Sequence, residues 1–295
     1  IRVIEFKVNR YLAEYRIAHR KDHPSISSSD NIAAILQSYD RLYQSVLKSE
    51  TENVETIKIP FYAPIQDLSD FEGTELVIGD PHGCFDEVKA AIDEFKPDRV
   101  IIAGDLNDRG PKSRELIDFV RSTPNIYCVM GNHDHKFMRW LRGNKVNTSL
   151  GGLNTTIEQF SDYTDEQKAE LAQWIGSLPL IIKLPGNRVV VHAGVNPERP
   201  LEKQYFDTCL YIRHHGGKAM DDESFPRWYE YEPCDELKGY HILFGHAIHD
   251  KANVSKWATS LDMGAVYGTG LRVEFYDTKV GSSTIKQYPT QIYYK

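Results

Sequence analysis

Cysteine is scarce in this chain of 295 residues, and it is not arranged in pairs. The four cysteines, Cys84, Cys128, Cys209 and Cys234, lie far apart, and none of them belongs to a Cys-x-x-Cys pair. A disulfide framework or a thiolate zinc site requires cysteines at paired spacings. The spacing therefore argues against both and favours a reducing compartment, so that a cytoplasmic protein is expected.

The sequence also lacks long apolar runs and an excess of basic charge. No window approaches the roughly 18 consecutive apolar residues of a membrane span, so no membrane partner is expected. Thirty-five Lys and Arg residues stand against 42 Asp and Glu residues, which gives a net charge of −7. A protein that coats nucleic acid needs a basic face, whereas a small basic pocket is compatible with this charge. Nothing indicates a fixed protein partner.

What is present is the composition of a globular protein, with 41% hydrophobic and 26% charged residues. At roughly 100–200 residues per domain, the length fits one large domain or one domain with an appendage. The first residue is Ile1 and not Met, which indicates a trimmed chain or a fragment.

Residues 1–72 differ in pattern from the rest and are expected to form a mainly helical N-terminal extension. Apolar residues within 3–18 are loosely helical in spacing. Residues 28–30 offer N-cap oxygens, and apolar residues then recur at every third or fourth position over 32–47. Residues 57–59 are compatible with a short strand.

Residues 73–295 alternate apolar runs with helix-like segments and are expected to form the main domain. Five runs are typical of buried strands: 76–78, 100–103, 126–130, 189–191 and 242–244. Helix-like segments at 85–95 and 113–120 separate the first three runs. This alternation predicts an α/β domain with right-handed crossovers.

Each of these runs is followed by glycine together with Asp, Asn or His. The segments read GDPHG (79–83), GDLNDRG (104–110), GNHD (131–134), HAG (192–194) and GH (245–246). Ligand sites in open α/β sheets form at the carboxyl ends of strands, and glycine allows tight turns there. The candidate ligands at this edge are Asp80, His82, Asp105, Asn132, His192 and His246.

Oxygen and imidazole ligands suit Mn, Fe, Zn or Mg rather than soft monovalent copper. Six protein ligands exceed what one catalytic ion requires. Two ions about 3.5–4 Å apart that share one carboxylate would use all six. A single Gly-Asp or Gly-Asn-His segment is usually an ordinary turn, but five polar strand ends in succession argue against that explanation. The sequence therefore predicts a site for two divalent metal ions.

The motifs GDPHG, GDLNDRG, GNHD, VHAG and FGH, with the trailing LDMGAVYG, resemble the signature of the phosphoprotein phosphatase family of calcineurin-like metallophosphoesterases. The resemblance covers residues 75–275 and implies a central β-sandwich flanked by helices. GDPHGCFDE and GNHD are similar to bacterial diadenosine tetraphosphatases, and residues 131–143 are similar to the phosphatase module of bacterial polynucleotide repair enzymes. Asp134 in place of Glu sets the chain apart from eukaryotic protein phosphatases.

The resemblance implies a role for each candidate ligand. Asp105 would bridge the two metals, and Asp80 and His82 would complete the first metal site. The second metal would take the three remaining ligands: Asn132, His192 and His246.

The resemblance also implies which groups act on the phosphate. Arg109 and, in a shorter motif, Arg213 would bind phosphate oxygens, for which a planar guanidinium is well suited. His133, oriented by Asp108, would protonate the leaving oxygen. Two cations would lower the pKa of a bound water, so that hydroxide attacks directly without a covalent intermediate.

These features predict an enzyme, a two-metal phosphoesterase acting on phosphate monoesters with manganese as the preferred metal. The favoured substrate is phosphoserine or phosphothreonine on a protein. A dinucleoside polyphosphate and an RNA or DNA end are alternatives, and a catalytically silent binding scaffold is the non-enzyme alternative. No kinase P-loop, GxxxxGK(S/T), is present, which excludes a complete kinase-phosphatase repair enzyme.

Overall fold

A computed structural model of the protein describes residues 3–7, 54–58 and 62–294. The chain divides into two compact units, Ile1–Phe61 and Tyr62–Lys295. In the first unit, strands β1 (Val3–Lys7) and β2 (Val54–Lys58) pair in parallel.

The start of the chain differs from its predicted helical spacing. Val3–Lys7 is a strand that pairs in parallel with β2. The short strand expected at 57–59 overlaps the end of β2. The helix predicted over 32–47 lies outside the described residues.

The second unit contains two five-stranded sheets. The first sheet has the order β12-β11-β4-β5-β6, and the second has the order β10-β9-β8-β7-β3. The strands of this unit are β3 (Ile65–Asp67), β4 (Thr74–Ile78), β5 (Arg99–Ile102), β6 (Ile126–Cys128), β7 (Ile181–Leu184), β8 (Arg188–Val191), β9 (His241–Phe244), β10 (Ala258–Ser260), β11 (Leu271–Asp277) and β12 (Ser282–Tyr288).

Helices connect and flank the sheets. The helices within residues 62–294 are α1 (Phe85–Phe95), α2 (Ser113–Ser122), α3 (Asn132–Leu141), α4 (Leu153–Gln159), α5 (Asp165–Gly176) and α6 (Phe206–Tyr211). Each of these helices is too short or too polar to span a bilayer.

One apolar core joins the two sheets. Val77 and Ile101 of the first sheet belong to the same buried cluster as Ile182, Val190 and Leu243 of the second. Strands β4, β5 and β6 are parallel to one another, as are β8, β9 and β10. The predicted α/β fold with a central β-sandwich flanked by helices is confirmed.

Residues 62–72 belong with the sandwich rather than with the extension. Strand β3 pairs in parallel with β7, and Ala63 N–H donates to the carbonyl of Gln204 at 2.7 Å. The two units therefore meet between Phe61 and Tyr62, whereas the sequence places the boundary after residue 72. The difference arises because β3 forms the edge strand of the second sheet.

A buried cluster of four charged residues, hereafter the charge cluster, lies where several strands begin. Its members are Glu75, Arg99, Arg188 and Glu274, each at most 5% exposed. Arg99 Nε donates to Glu75 Oε1 at 2.7 Å, and Arg188 Nη1 donates to Glu274 Oε2 at 2.8 Å. Arg188 also pairs with Glu75. Because Arg188 lies on the second sheet and the other members on the first, the cluster ties the sheets together.

Candidate active site

The predicted ligands lie at the opposite ends of the same strands. Asp80 follows β4, Asp105 follows β5, and Asn132 begins α3 directly after β6. His192 follows β8, and His246 follows β9. Because the strands within each set are parallel, their carboxyl ends form a common edge, and the sandwich brings the two edges together.

Direct contacts show that the two edges meet. The backbone N–H of His246 donates to Asp80 Oδ2 at 2.7 Å, which joins the end of β9 to the end of β4. His192 Nδ1 lies 2.8 Å from the carbonyl of Ala103, which joins the end of β8 to the end of β5.

Asp105 lies at the centre of the site. Its Oδ2 is 3.6 Å from His82 Nε2 and 3.5 Å from His192 Nε2. Two groups of possible metal ligands share it, with ligand atoms that lie within 4.8 Å of one another in each group. One contains Asp80 and His192, and the other contains His82 and His133. A carboxylate common to both groups has the position that a bridging ligand needs, although Asp80 groups with His192 rather than with His82.

A second group of contacting side chains contains Asn132, His192 and His246. Asn132 Oδ1 is 2.8 Å from His192 Nε2 and 2.9 Å from His246 Nδ1. The Ala103 carbonyl can only accept, so the Nδ1–H of His192 is used there and its Nε2 carries a lone pair. In the assigned amide orientation, an oxygen and a ring nitrogen with lone pairs thus face each other, an arrangement that a shared cation stabilises.

His82 is oriented in the same way. Its Nδ1 lies 2.7 Å from the carbonyl of Asn107, which leaves the Nε2 lone pair directed towards the pocket. Burial, partly opposed by the charge of Asp105, lowers the pKa of His82 to about 3. Burial and the charges of His192 and Arg213 hold the pKa of His246 well below its usual value. Both imidazoles are therefore neutral, which is the form that binds metals.

Asp80 carries the clearest sign that the site accommodates cations. Its Oδ1 is buried and has no hydrogen-bond partner among the residues that the structure describes. Burial and the charges of Asp262 and Asp105 raise the pKa of Asp80 well above its usual value. A buried carboxylate oxygen without a partner costs free energy, which cation coordination recovers. The donor set of carboxylates, neutral imidazoles and an amide therefore fits a pair of divalent cations.

Two glycines allow the carboxylates to approach the backbone. A Cβ on Gly245 would lie 1.7 Å from Asp80 Oδ1, and a Cβ on Gly131 would lie 2.1 Å from Asp105 Oδ1. Any larger residue at these positions would displace a candidate ligand. This explains physically why glycine accompanies the polar residues of these motifs.

Backbone strain is concentrated in the site. Of the eight non-glycine residues with positive φ in the described part of the chain, five lie here. They are His82 (41°), Asp105 (53°), Asp108 (73°), Arg109 (69°) and His246 (63°). Such conformations cost on the order of 1–3 kcal/mol each and cluster at functional sites.

His133 is held by a buried carboxylate. Its Nδ1 lies 2.6 Å from Asp108 Oδ2, and Asp108 is fully buried. Thr156 Oγ1 accepts from the Asp108 backbone N–H at 2.8 Å, and Asn107 Nδ2 donates to Asp108 Oδ1 at 2.6 Å. Burial lowers the pKa of His133, but the charges of Asp105 and Asp108 outweigh it and raise that pKa overall. The ring can therefore hold a proton on Nε2.

Arg109 lies directly over the candidate ligands. Its Nη1 is 2.8 Å from His82 Nε2, and its Nη2 is 3.1 Å from His133 Nε2. The guanidinium carbon is also 5.6 Å from the centre of the Tyr267 ring. This arginine is thus positioned where a phosphate bound at the site would contact it.

These groups line a pocket of about 340 Å³. Arg213 lines it with Arg109, so the structure brings both predicted phosphate-binding arginines to one cavity. All ten candidate residues named from the sequence thus lie at this pocket or contact a residue that lines it.

Asp262 is a site residue that the sequence analysis did not identify. It follows β10, the third parallel strand of the second sheet, and lines the pocket. Burial raises the pKa of Asp262 to about 6. Its position after a short strand in the trailing LDMG segment is the signal that could have identified it.

Asp134 has a structural role that sequence reasoning also missed. Its carboxylate accepts hydrogen bonds from the backbone N–H groups of Asp105, Leu106 and Gly131 at 2.8–2.9 Å. These bonds fix the turn that presents Asp105. Burial and the neighbouring Asp105 raise the pKa of Asp134 to about 7.

Known proteins share this sequence pattern. The family model described as calcineurin-like phosphoesterase matches residues 75–262. The asymmetrical bis(5′-nucleosyl)-tetraphosphatase PrpE of Bacillus velezensis is 30% identical over 227 residues, which cover 68% of this chain and 90% of the relative. The symmetrical bis(5′-nucleosyl)-tetraphosphatase of Neisseria meningitidis is 34% identical over 131 residues, which cover 43% of this chain and 45% of the relative.

Solved structures share the fold. A crystal structure provisionally described as a diadenosine tetraphosphatase covers 78% of this chain and 99% of its own, with a TM-score of 0.62 and 24% identity. A serine/threonine phosphatase of Saccharomyces cerevisiae, similar to human phosphatase PP5, covers 96% of this chain and 97% of its own, with a TM-score of 0.56 and 14% identity. At these identities, the likeness concerns the fold alone.

Proposed function

Because this chain belongs to the calcineurin-like phosphoesterase family and is a metal-dependent enzyme that hydrolyses phosphoester bonds, we propose that its substrates are dinucleoside polyphosphates. The observation that carries the proposal is the relationship to bis(5′-nucleosyl)-tetraphosphatases along about nine tenths of their length. The sequence alone favours a serine/threonine protein phosphatase, with dinucleoside polyphosphates as an alternative substrate class. The bis(5′-nucleosyl)-tetraphosphatase relatives favour dinucleoside polyphosphates. The yeast phosphatase supports the fold alone, because it is only 14% identical.

The candidate ligands divide between two cations. Asp105 would be a ligand of both cations, and Asp80 and His82 would complete the first site. The residues assigned to the second cation are Asn132, His192 and His246. When bound, the two cations would supply neutralisation of phosphate charge and an activated water. Manganese is the proposed metal, because the oxygen and imidazole donors suit it.

The side chains around the ligands act on the phosphate. Arg109 and Arg213 bind its oxygens and orient the reacting phosphorus in the pocket. His133 Nε2 donates a proton to the leaving oxygen, and Asp108 keeps the ring in place through Nδ1. Water attacks directly, so no side chain is modified during the reaction.

A comparison of substrates tests this proposal. Rates are measured with added Mn²⁺ on a dinucleoside tetraphosphate, a phosphoserine peptide and a 3′-phosphorylated oligonucleotide. We expect kcat/KM for the tetraphosphate to exceed the other two by about tenfold or more, or roughly 1.4 kcal/mol. A preference for the peptide or the oligonucleotide would overturn the proposed substrate class.

Two variants control for contaminating phosphatases in that comparison. Asp105→Asn should remove hydrolysis of all three substrates. Asp93→Asn alters an exposed carboxylate whose partner among the described residues is Lys89, and it should leave all rates unchanged.

His133 supplies a second test, based on the leaving group. A departing nucleotide phosphate is a weaker base than a departing serine alkoxide, so it needs less help from a general acid. His133→Asn should therefore reduce the rate on the phosphoserine peptide by about 10²-fold or more and reduce the rate on the tetraphosphate less. Equal losses on both substrates would contradict the assigned proton donor.

A further inference from the structure

One segment beside the pocket, residues 213–227 and hereafter the arm, has charges that the proposed chemistry does not use. Besides Arg213, the arm lines the cavity with three charged side chains: Asp221, Glu223 and Arg227. These three were not singled out by any motif in the sequence.

Backbone hydrogen bonds bring the two ends of the arm together. The N–H groups of Arg213 and His214 both donate to the carbonyl of Met220 at 2.8 Å. His214 and Arg227 form an antiparallel bridge, and the N–H of Trp228 donates to the carbonyl of Arg213 at 3.2 Å. The two arginines are therefore held as neighbours on the same side of the pocket.

A buried tryptophan fixes the arm relative to the candidate ligands. Trp228, 1% exposed, follows Arg227 and packs against Phe244, with ring centres 5.0 Å apart. It also lies over Gly194, where a Cβ would meet the indole nitrogen at 2.3 Å. Phe244 ends β9 and Gly194 follows His192, so Arg227 is anchored to the strands that present His192 and His246.

Four charged side chains of the arm have no direct partner in the part of the chain that the structure describes. Among residues 62–294, the side chains of Arg213 and Arg227 form no hydrogen bond and no ion pair, and the same is true of Asp221 and Glu223. An arginine at a pocket wall without a protein partner is suited to an anionic ligand. Arg109 and Arg213 already suffice for the reacting phosphate, so Arg227 is in excess of what a phosphate monoester needs.

We propose that the pocket-lining side chains of the arm form a nucleotide subsite, in which Arg227 binds phosphates beyond the reacting one and Asp221 and Glu223 accept hydrogen bonds from ribose hydroxyls. This inference rests on the proposed function and specifies which residues select its substrate. Carboxylates accept from ribose hydroxyl groups in other nucleotide sites. An inorganic polyphosphate has no such donors and would be repelled by both carboxylates, so the mixed charges select a nucleotide.

Three substrates separate the parts of the subsite. They are a dinucleoside tetraphosphate, inorganic tripolyphosphate and an aryl phosphate monoester, each assayed with added Mn²⁺. Arg227→Gln should lower kcat/KM for the tetraphosphate by about tenfold, mainly through KM, since an arginine–phosphate contact is a charge-assisted hydrogen bond. It should leave the rate on the aryl phosphate within about twofold.

Removal of the charges of Asp221 and Glu223 should have opposite effects on the tetraphosphate and on inorganic tripolyphosphate. The double variant Asp221→Asn, Glu223→Gln should lower kcat/KM for the tetraphosphate severalfold and raise it for tripolyphosphate, because a repulsion is removed. Lys218→Gln is the matched control, since Lys218 is an exposed cation on the same arm that does not line the pocket. Its rates should equal those of the wild type.

The outcomes distinguish this inference from the proposed function. A wild-type protein that prefers a phosphopeptide to the tetraphosphate would overturn the proposed function. A wild-type preference for the tetraphosphate that Arg227→Gln leaves unchanged would overturn the subsite alone. Equal losses on the tetraphosphate and the aryl phosphate would also overturn it, because Arg227 would then act on the reacting phosphate or on the fold.

Discussion

Strands β4, β5 and β8 carry buried ionisable groups at both ends, but the pairing of these groups differs between the two ends. In strand order, the groups near the starts are Glu75, Arg99 and Arg188, and those just beyond the ends are Asp80, Asp105 and His192. At the starts, opposite charges pair directly. At the ends, carboxylates and neutral imidazoles converge without a protein cation for each.

The difference separates stability from function. In the charge cluster, each carboxylate has an arginine partner. A bound ligand would therefore recover little free energy at this end. At the ligand end, Asp80 Oδ1 has no hydrogen-bond partner within the described ranges, and several residues are held at positive φ. Free energy is thus lost at one end to hold the candidate ligands in place, as is usual where function conflicts with local preference.

The largest expected effect comes from breaking the charge cluster. Arg188→Met leaves Glu274 without its cation and Glu75 with one partner instead of two. Removal of one partner from a buried pair costs about 3–5 kcal/mol in free energy of unfolding, which urea denaturation measures. Lys89→Met, which breaks an exposed pair with Asp93, should cost at most about 1 kcal/mol. A loss for Arg188→Met as small as that of Lys89→Met would contradict the role assigned to the cluster.

A smaller effect, on activity, is expected from a methyl group at the other end. Gly245→Ala would place a Cβ against Asp80 Oδ1, and this carboxylate must then move. A displacement of about 1 Å at a reacting centre can lower the rate by about 10²-fold. Gly143→Asn is the control, since Gly143 has open space around it and Asn tolerates positive φ. Wild-type activity in Gly245→Ala would show that Asp80 does not need its present position.

The smallest expected effect concerns the pH dependence of stability and His135, which contacts Tyr211 and Phe206. Burial, together with Arg139 and Arg142, lowers the pKa of His135 to about 4, against about 6.5 in the unfolded chain. The contribution of His135 to the free energy of unfolding is complete above about pH 6.5. It is lost as the pH falls from about 6.5 towards 4, because the unfolded state binds the proton more tightly. In His135→Gln, the unfolding free energy should therefore fall less steeply over this range. An unchanged slope would exclude His135 as a source of acid sensitivity.

The candidate ligands could be predicted from the sequence because each one lies shortly after a recognisable apolar run. Each polar group follows an apolar run by one to four residues, as Asp80 follows β4 and Asn132 follows β6. The charge cluster could not be predicted, since Arg188 meets Glu75 and Glu274 only after the two sheets pack. The same holds for β3, which is three residues long and is defined by its pairing with β7.

Two features of the site escaped prediction for related reasons. Asp262 follows a strand of only three residues, too short to show an apolar pattern. The arm has no motif at all, since Arg227 reaches the pocket through a bridge to His214 and the anchoring of Trp228. In both cases, the side chain is placed by tertiary contacts and not by a local sequence pattern.

The strand ends are proposed to bind two cations that share Asp105. Titration of Mn²⁺ into metal-free protein, followed by calorimetry, counts those sites directly. We predict two Mn²⁺ ions per chain for the wild type and for Lys89→Met, and a reduced number or much weaker binding for Asp105→Asn. A wild-type protein that binds no Mn²⁺, or an Asp105→Asn protein that still binds two ions with unchanged affinity, would contradict this account.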